Sequence, residues 1–341
     1  MKQRALPAPT AGPRAPRGVR QYNVACCPFG SIPRERPIGR REGLTPSAGT
    51  FGPTRHTTNE VRGTLGPNQH PRSKNRSPSM AKLADKYALY QQAVQCVAAD
   101  VDFVDKTFRR RRGRRARSLR EDFCGTANTA CEWVRRGPSR YAIGVDIDQA
   151  VLNWGRQHNL AALDAKAAAR ISLVNEDVLK VSTQPVDTVL AMNFSYWLLK
   201  ERRTLRRYFK RVRATLVEDG LFFLDAYGGH DAFRIMKDRQ ACDGFTYIWD
   251  QAAYNPIDGH MVCHMHFAFP DGSRLKQAFS YAWRLWTLPE IREVLDEAGF
   301  ANAIVYWQST DEKTGRADGR FEPTEQGEPD PAWIAYIVAE K

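Results

Sequence analysis

Apolar and polar positions along this chain keep a helical period and a strand period in turn. From 82 to 108 the spacing is helical, with Leu83, Tyr87, Tyr90 and Val94 near one face. A tight turn follows at Glu121-Asp122-Phe123-Cys124-Gly125-Thr126-Ala127. The next helix carries Ala127, Ala130, Cys131 and Val134 on one stripe, and Gly137-Pro138 stops it. Tyr141–Val145 is a buried strand running into Asp146-Ile147-Asp148, and a helix covers 149–159. Ile171–Val174 and Val186–Met192 read as strands that end on Asn175-Glu176-Asp177-Val178 and on Asn193–Trp197. The helix at 201–216 has Leu205, Tyr208, Phe209, Val212 and Leu216 on one face. Glu218-Asp219-Gly220 turns the chain into the strand Leu221–Leu224, which ends on Asp225. Strands alternating with helices predict an α/β fold: a doubly wound parallel sheet covered on both faces. Polar residues gather at the carboxyl ends of its strands, where such sheets bind ligands.

The rhythm changes between 243 and 284. Phe245–Trp249, Met261–Phe267 and Leu275–Trp283 read as strands separated by turn residues such as Asn255-Pro256, Asp258-Gly259 and Asp271-Gly272, which predicts an antiparallel insertion. Thr287-Leu-Pro-Glu290 is a capping box opening a helix that ends at Gly299. Strands near 303–308 and 332–339 are expected to close the sheet as an antiparallel hairpin.

Composition divides the chain. Residues 1–79 carry 14 of the Lys and Arg residues against 3 Asp and Glu, a net of +11, while 80–341 are nearly balanced at +2. The same tail holds 12 of the 20 prolines and no Trp, so it lacks the apolar surface to offset its ordering entropy and is expected to be disordered. It reads as an over-extended start before Met80, as a targeting peptide, or as a nucleic-acid-binding arm. Residues 80–341 suit one α/β domain, with 230–284 as an elaboration over a substrate site. Seven scattered cysteines without a Cys-x-x-Cys pair indicate neither a disulfide framework nor a zinc ribbon, and point to a reducing cytoplasm. No segment is long and apolar enough to span a membrane. Arg109–Arg117 holds seven arginines in nine residues; it reads as a solvated loop, or alternatively as a contact to a phosphate backbone.

The arrangement from 80 to 341 resembles the class I S-adenosylmethionine-dependent methyltransferases, whose fold is Rossmann-like and whose first strand ends in an acid and a Gly-x-Gly-x-Gly turn. Glu121 takes the acid position, Gly125 the central glycine and Thr126 the residue after it, in an EDFCGT-type motif. Phe123 and Ala127 stand where the outer glycines usually do. Asp146 matches the ribose-binding acid after the second strand, with Ile147 beside it, and Asp177-Val178 match the pair flanking the adenine. Asn193 matches a donor- and substrate-contacting position. The resemblance implies S-adenosyl-L-methionine as cofactor and methyl transfer by in-line displacement, which needs geometry more than acid–base chemistry.

Beyond the motif, Tyr196 and Trp197 are candidates for walls of the acceptor pocket and Asp225 and Tyr227 for its edge. Tyr87 and Tyr90 are candidate lids over the cofactor. His264 and His266 share a strand face; with no third ligand in view no metal is assigned, and His264 is a candidate acceptor contact or general base. Cys124 reads as a packing residue. The expected acceptor is a small or medium-sized molecule. The rivals are a nucleic-acid methyltransferase using Arg109–Arg117 and a non-catalytic binding protein of the same fold. The sequence leaves the oligomeric state open.

Overall fold

The computed structural model describes residues 77–310 and 317–341; the expectation about the basic tail lies almost wholly outside the described residues. Three helices open the fold: α1 (Met80–Leu83), α2 (Lys86–Val94) and α3 (Val97–Arg112). The helical stretch expected over 82–108 is therefore broken twice. Asp85 causes the first break by capping α2, its carboxylate accepting the Tyr87 and Ala88 N–H groups. The second falls at Gln95-Cys96, after which α3 runs through four of the arginines and ends on Gly113 in the left-handed conformation.

The central sheet then forms from β1 (Ser118–Asp122), β2 (Tyr141–Asp146), β3 (Ile171–Asn175), β4 (Val186–Ala191) and β5 (Leu216–Gly228). Helices α4 (Asn128–Arg135), α5 (Gln149–Gly155), α6 (Ala165–Ala168) and α7 (Arg202–Thr215) connect them. The end of the expected 149–159 helix winds as a π-turn over 156–160. Within β5, Leu216 pairs with Val186 and Leu221 with Thr188, so the Glu218-Asp219-Gly220 turn is an excursion inside the strand.

A second sheet is built from β6 (Met236–Cys242), β7 (Phe245–Tyr254), β8 (His260–Ala268) and β9 (Arg274–Arg284), antiparallel and in sequential order. Strand β6 was not expected from the sequence. Its inward positions include Asp238 and Gln240, so it lacks the apolar alternation that marks a half-buried strand. After α8 (Leu288–Glu297) come β10 (Asn302–Thr310), β11 (Ala317–Pro323) and β12 (Trp333–Glu340). The eight-stranded order is β11-β10-β12-β5-β4-β1-β2-β3, parallel from β3 to β5 and antiparallel at β12, with β10 antiparallel to β12 as expected. The added β11 pairs with β10 at the edge.

Residues 79–341 belong to one compact unit. One sheet face packs on α7 and α8 through residues such as Phe209, Val212, Phe222, Leu224 and Leu295. The other packs on α3, α4 and α5 through Val104, Phe108, Trp133, Leu152 and Phe223. Each such fully buried side chain contributes about 1.5–3 kcal/mol. A third cluster joins α2 to the inserted sheet, with Ala93 and Val94 against Phe245, Tyr247, Met265 and Phe267. That contact brings α2 and the inserted sheet together beside the carboxyl edge of the central strands.

Candidate functional site

The turn after β1 alternates into left-handed backbone three times, at Phe123 (φ 56°), Gly125 (φ 54°) and Ala127 (φ 57°). Two of these three left-handed positions carry side chains. A non-glycine residue in this region costs about 1–2 kcal/mol. The strain is held by hydrogen bonds on both sides: Cys124 N–H donates to the Val145 carbonyl, Gly125 N–H to Asp146 Oδ2 at 2.8 Å, and Ala127 N–H to the Cys124 carbonyl. Gln91 of α2 donates to the Thr126 hydroxyl at 2.7 Å and Asn159 to the Thr126 carbonyl. A methyl group on Gly155 would stand 2.5 Å from that carbonyl oxygen, so α5 packs directly on the turn's backbone. Above Gly125 the space is open: a Cβ there would meet nothing within 4 Å. Cys124 is buried as a packing residue. Beneath the turn a buried Arg120 grips Asp122 with two hydrogen bonds, and Tyr208 donates to the same carboxylate.

Four further strand ends surround the turn. Asp146 ends β2 and accepts the Gly125 and Asp148 N–H groups, while burial raises its carboxyl above the usual range. Ile147 beside it is 74% exposed, an apolar side chain left uncovered at the rim. Asp177 follows β3 and accepts the Leu179 N–H; Val178 is buried next to it. Asn193 and Phe194 follow β4, both left-handed at φ 57°, and both donate their N–H groups to the Asp225 carboxylate of β5, at 2.8 and 2.9 Å. Glu121, Gly125, Thr126, Asp146, Ile147, Asp177, Val178 and Asn193 all lie along the carboxyl edge of one parallel sheet.

Glu121 and Asp225 are buried here, and Asp100 of α3 lies close to both. Their hydrogen-bond partners among the described residues are neutral: the Ala130 N–H and Thr129 for Glu121, the Asn193 and Phe194 N–H groups for Asp225, and the Tyr336 hydroxyl for Asp100. Burial therefore pushes Asp100 up to about 6, Asp225 to about 7 and Glu121 to about 8. Tyr90 feels all three acids, and Tyr87 feels Asp146 and Asp148; burial, the largest cause, raises both hydroxyls further.

A cavity opens next to Asn193, bounded by α2, the ends of β4 and β5, and the inserted sheet. Its aromatic wall includes Tyr227, Tyr247, Trp249, Tyr281 and Trp283. Asn193, Asp238, Gln240 and Gln251 are its polar lining groups. Tyr90 lines it as well, whereas Tyr87 packs on Trp154 and Phe279 with ring centres 5.5 and 5.8 Å away.

Three expectations need correction. Tyr196 is fully buried and its hydroxyl donates to the Asp225 carbonyl at 2.8 Å, a core position behind the wall; Phe194 takes the lining place instead. His264 does share a strand face with His266, but it is the face opposite the cavity. The inward positions of β8 are Met261, Cys263, Met265 and Phe267. His264 contacts Ser280, and His266 pairs with Asp250, which also binds Lys237. The third correction concerns Arg109–Arg117. Its first four arginines belong to α3, and several are spent within the fold: Arg110 on Glu322, Arg111 and Arg112 on Glu340, Arg114 on Asp187 and Asp219. Arg109, Arg115 and Arg117 remain exposed, so the run is part helix and part surface charge rather than a solvated loop throughout. Sequence reasoning missed Asp100, Gln91 and the β6 residues; all three sit in elements whose approach to the site is set by packing.

No family model and no curated protein matches the sequence. Solved structures do match it. An S-adenosylmethionine-dependent methyltransferase from Clostridium acetobutylicum shares 15% identity over 74% of this chain and 96% of its own, with a TM-score of 0.54. DesVI of Streptomyces venezuelae shares 17% identity over 77% and 99%, with a TM-score of 0.54. CalS10 of Micromonospora echinaspora, an amino pentose methyltransferase solved with its adenosylmethionine, shares 15% over 79% and 99%, with a TM-score of 0.53. At these identities the likeness is one of fold, and it spans nearly the full length of each neighbour.

Proposed function

We propose that this chain, which has the fold of the S-adenosylmethionine-dependent methyltransferases, transfers a methyl group from that cofactor to a small acceptor held in the aromatic cavity. The observation that carries the reading is the trio of Asp100, Glu121 and Asp225, carboxylates gathered at one strand edge with neutral partners only. Acids desolvated without a cation are costly, and a ligand that brings positive charge recovers that cost. Adenosylmethionine brings two such charges, an ammonium and a sulfonium.

The remaining donors and acceptors fit the same molecule. The open space over Gly125 admits a ligand against the turn's backbone. Asp146 spends lone pairs on two N–H groups and keeps others for ribose hydroxyls. Ile147 offers an uncovered apolar surface to a base, next to Asp177 and Val178. When bound, the cofactor supplies an electrophilic methyl group. The chain's own work is to orient it, exclude water with the aromatic wall and hold the acceptor in line.

Calorimetric titration of the full chain with S-adenosylhomocysteine tests the assignment. Micromolar binding is expected in the parent protein, and Asp146→Ala should weaken it by about tenfold or more, the loss of one or two hydrogen bonds to a charged group. The absence of heat in the parent would sink the cofactor. Unchanged binding in the variant would sink the placement of the ribose. Binding without methyl transfer to any amine, hydroxyl or thiol acceptor would favour a non-catalytic protein of the same fold.

A further inference from the structure

The chemistry of the cavity wall narrows the acceptor. Phe194, Tyr227, Tyr247, Trp249, Tyr281 and Trp283 present aromatic surface from three directions: the end of β4, the end of β5 and the inserted sheet. Tyr281 stacks on Trp283 with ring centres 4.5 Å apart, and Trp249 lies 6.1 Å from Trp283, so the rings form one connected surface. Asp238 is the one carboxylate among the lining residues, and none of them is Lys, Arg or His. In the β6–β7 ladder Asp238 stands directly opposite Trp249 on the inward face. The contact recorded for its carboxylate is the N–H of its own neighbour, Arg239.

An acid set among aromatic faces suits a particular kind of guest. Ring faces carry negative quadrupole density and attract cations, most of all alkylated ammonium groups whose hydration is weak. A phosphate or carboxylate near Asp238 would meet no positive side chain and one negative one. We infer that the acceptor is an amine, bound in this cavity and released as a methylated ammonium, with Asp238 as its counter-charge and Trp249 and Trp283 as its aromatic platform.

This inference rests on the adenosylmethionine reading above. The reaction balances without a further reagent. An acceptor entering as R2NH2+ gives its proton to the Asp238 carboxylate. The freed nitrogen lone pair forms the C–N bond to the cofactor's methyl carbon while the C–S bond breaks and its electron pair passes to sulfur. The products are R2NHCH3+ and the thioether S-adenosylhomocysteine, and Asp238 returns its proton to solvent. Burial already raises the Asp238 carboxyl, which suits it to take up that proton.

The probes are choline and its neutral isostere 3,3-dimethylbutan-1-ol, titrated calorimetrically into the full chain saturated with S-adenosylhomocysteine, so that the cofactor's own acids are covered. Choline is expected to bind at least about tenfold more tightly than the alcohol, the scale of a desolvated cation–π contact. Asp238→Asn and Trp249→Leu should each remove most of that preference while leaving S-adenosylhomocysteine binding in place. Equal affinities, binding of neither probe, or an undiminished preference in both variants would overturn the amine assignment. Because S-adenosylhomocysteine binding is measured in the same samples, its loss in the parent chain marks failure of the cofactor reading instead.

Discussion

At the scale of single residues, the turn after β1 holds left-handed backbone at residues other than glycine. Phe123 and Ala127 hold φ values of 56° and 57°, which glycine adopts freely and other residues adopt under strain. Ala127 and Ala130 are both fully buried, which makes them a matched pair. In Ala130→Gly, helix propensity and a lost buried methyl together cost about 2 kcal/mol. In Ala127→Gly, relief of the left-handed strain offsets the lost methyl, and stability should stay within about 1 kcal/mol of the parent. Urea denaturation of the two variants measures the contrast; equal losses would show that the turn is unstrained. Asn193 and Phe194 repeat the theme, since their left-handed backbone is held by both oxygens of Asp225.

At the scale of elements, α3, β1 and β5 converge to place Asp100, Glu121 and Asp225 together. Folded, these acids keep their protons up to about pH 6, 8 and 7, whereas an unfolded carboxyl releases its proton near pH 4. Between those limits the folded state binds more protons, so its stability falls as pH rises. The melting temperature of the ligand-free protein is therefore expected to drop from about pH 5.5 to about pH 8. Glu121→Gln should flatten the slope. S-adenosylhomocysteine, which brings an ammonium, should raise the melting temperature more at the upper end of this window than at the lower. A ligand-free protein that gains stability over the range would contradict the placement of these acids.

At the scale of the molecule, the arginine run fastens the first layer of helices to the last strand. Glu340 on β12 receives Arg111 and Arg112 of α3 and the Asn302 amide of β10. Glu340→Ala leaves two guanidinium groups without their carboxylate and should cost about 2 kcal/mol, as for lost hydrogen bonds to a charged group. The loss is read by thermal denaturation, and it should shrink in the additional presence of Arg111→Met, because the two residues share one interaction. A long helix of the described residues that could cross a membrane is absent.

The sequence by itself determined the alternation of strands and helices from β1 to β5 and the acids at the strand ends. Both are written locally: Leu205, Tyr208, Phe209 and Val212 recur at helical spacing, and the runs before Asp146, Asp177 and Asn193 are short, apolar and abruptly polar at their ends. The EDFCGT turn was legible in the same way. Tertiary structure decided which face each strand turned inward, and with it the loss of His264 from the site and the entry of Asp238. A one-residue change of parity exchanges the two faces of a strand, and β6 carries too few apolar residues to declare its own. It also decided that Glu121 feels the charge of Asp100, that Tyr196 lies in the core and that four of the arginines are paired. Each of these depends on a partner in another element, 29 residues away for Tyr196 and Asp225 and 229 for Arg111 and Glu340, whose approach is governed by packing of whole layers.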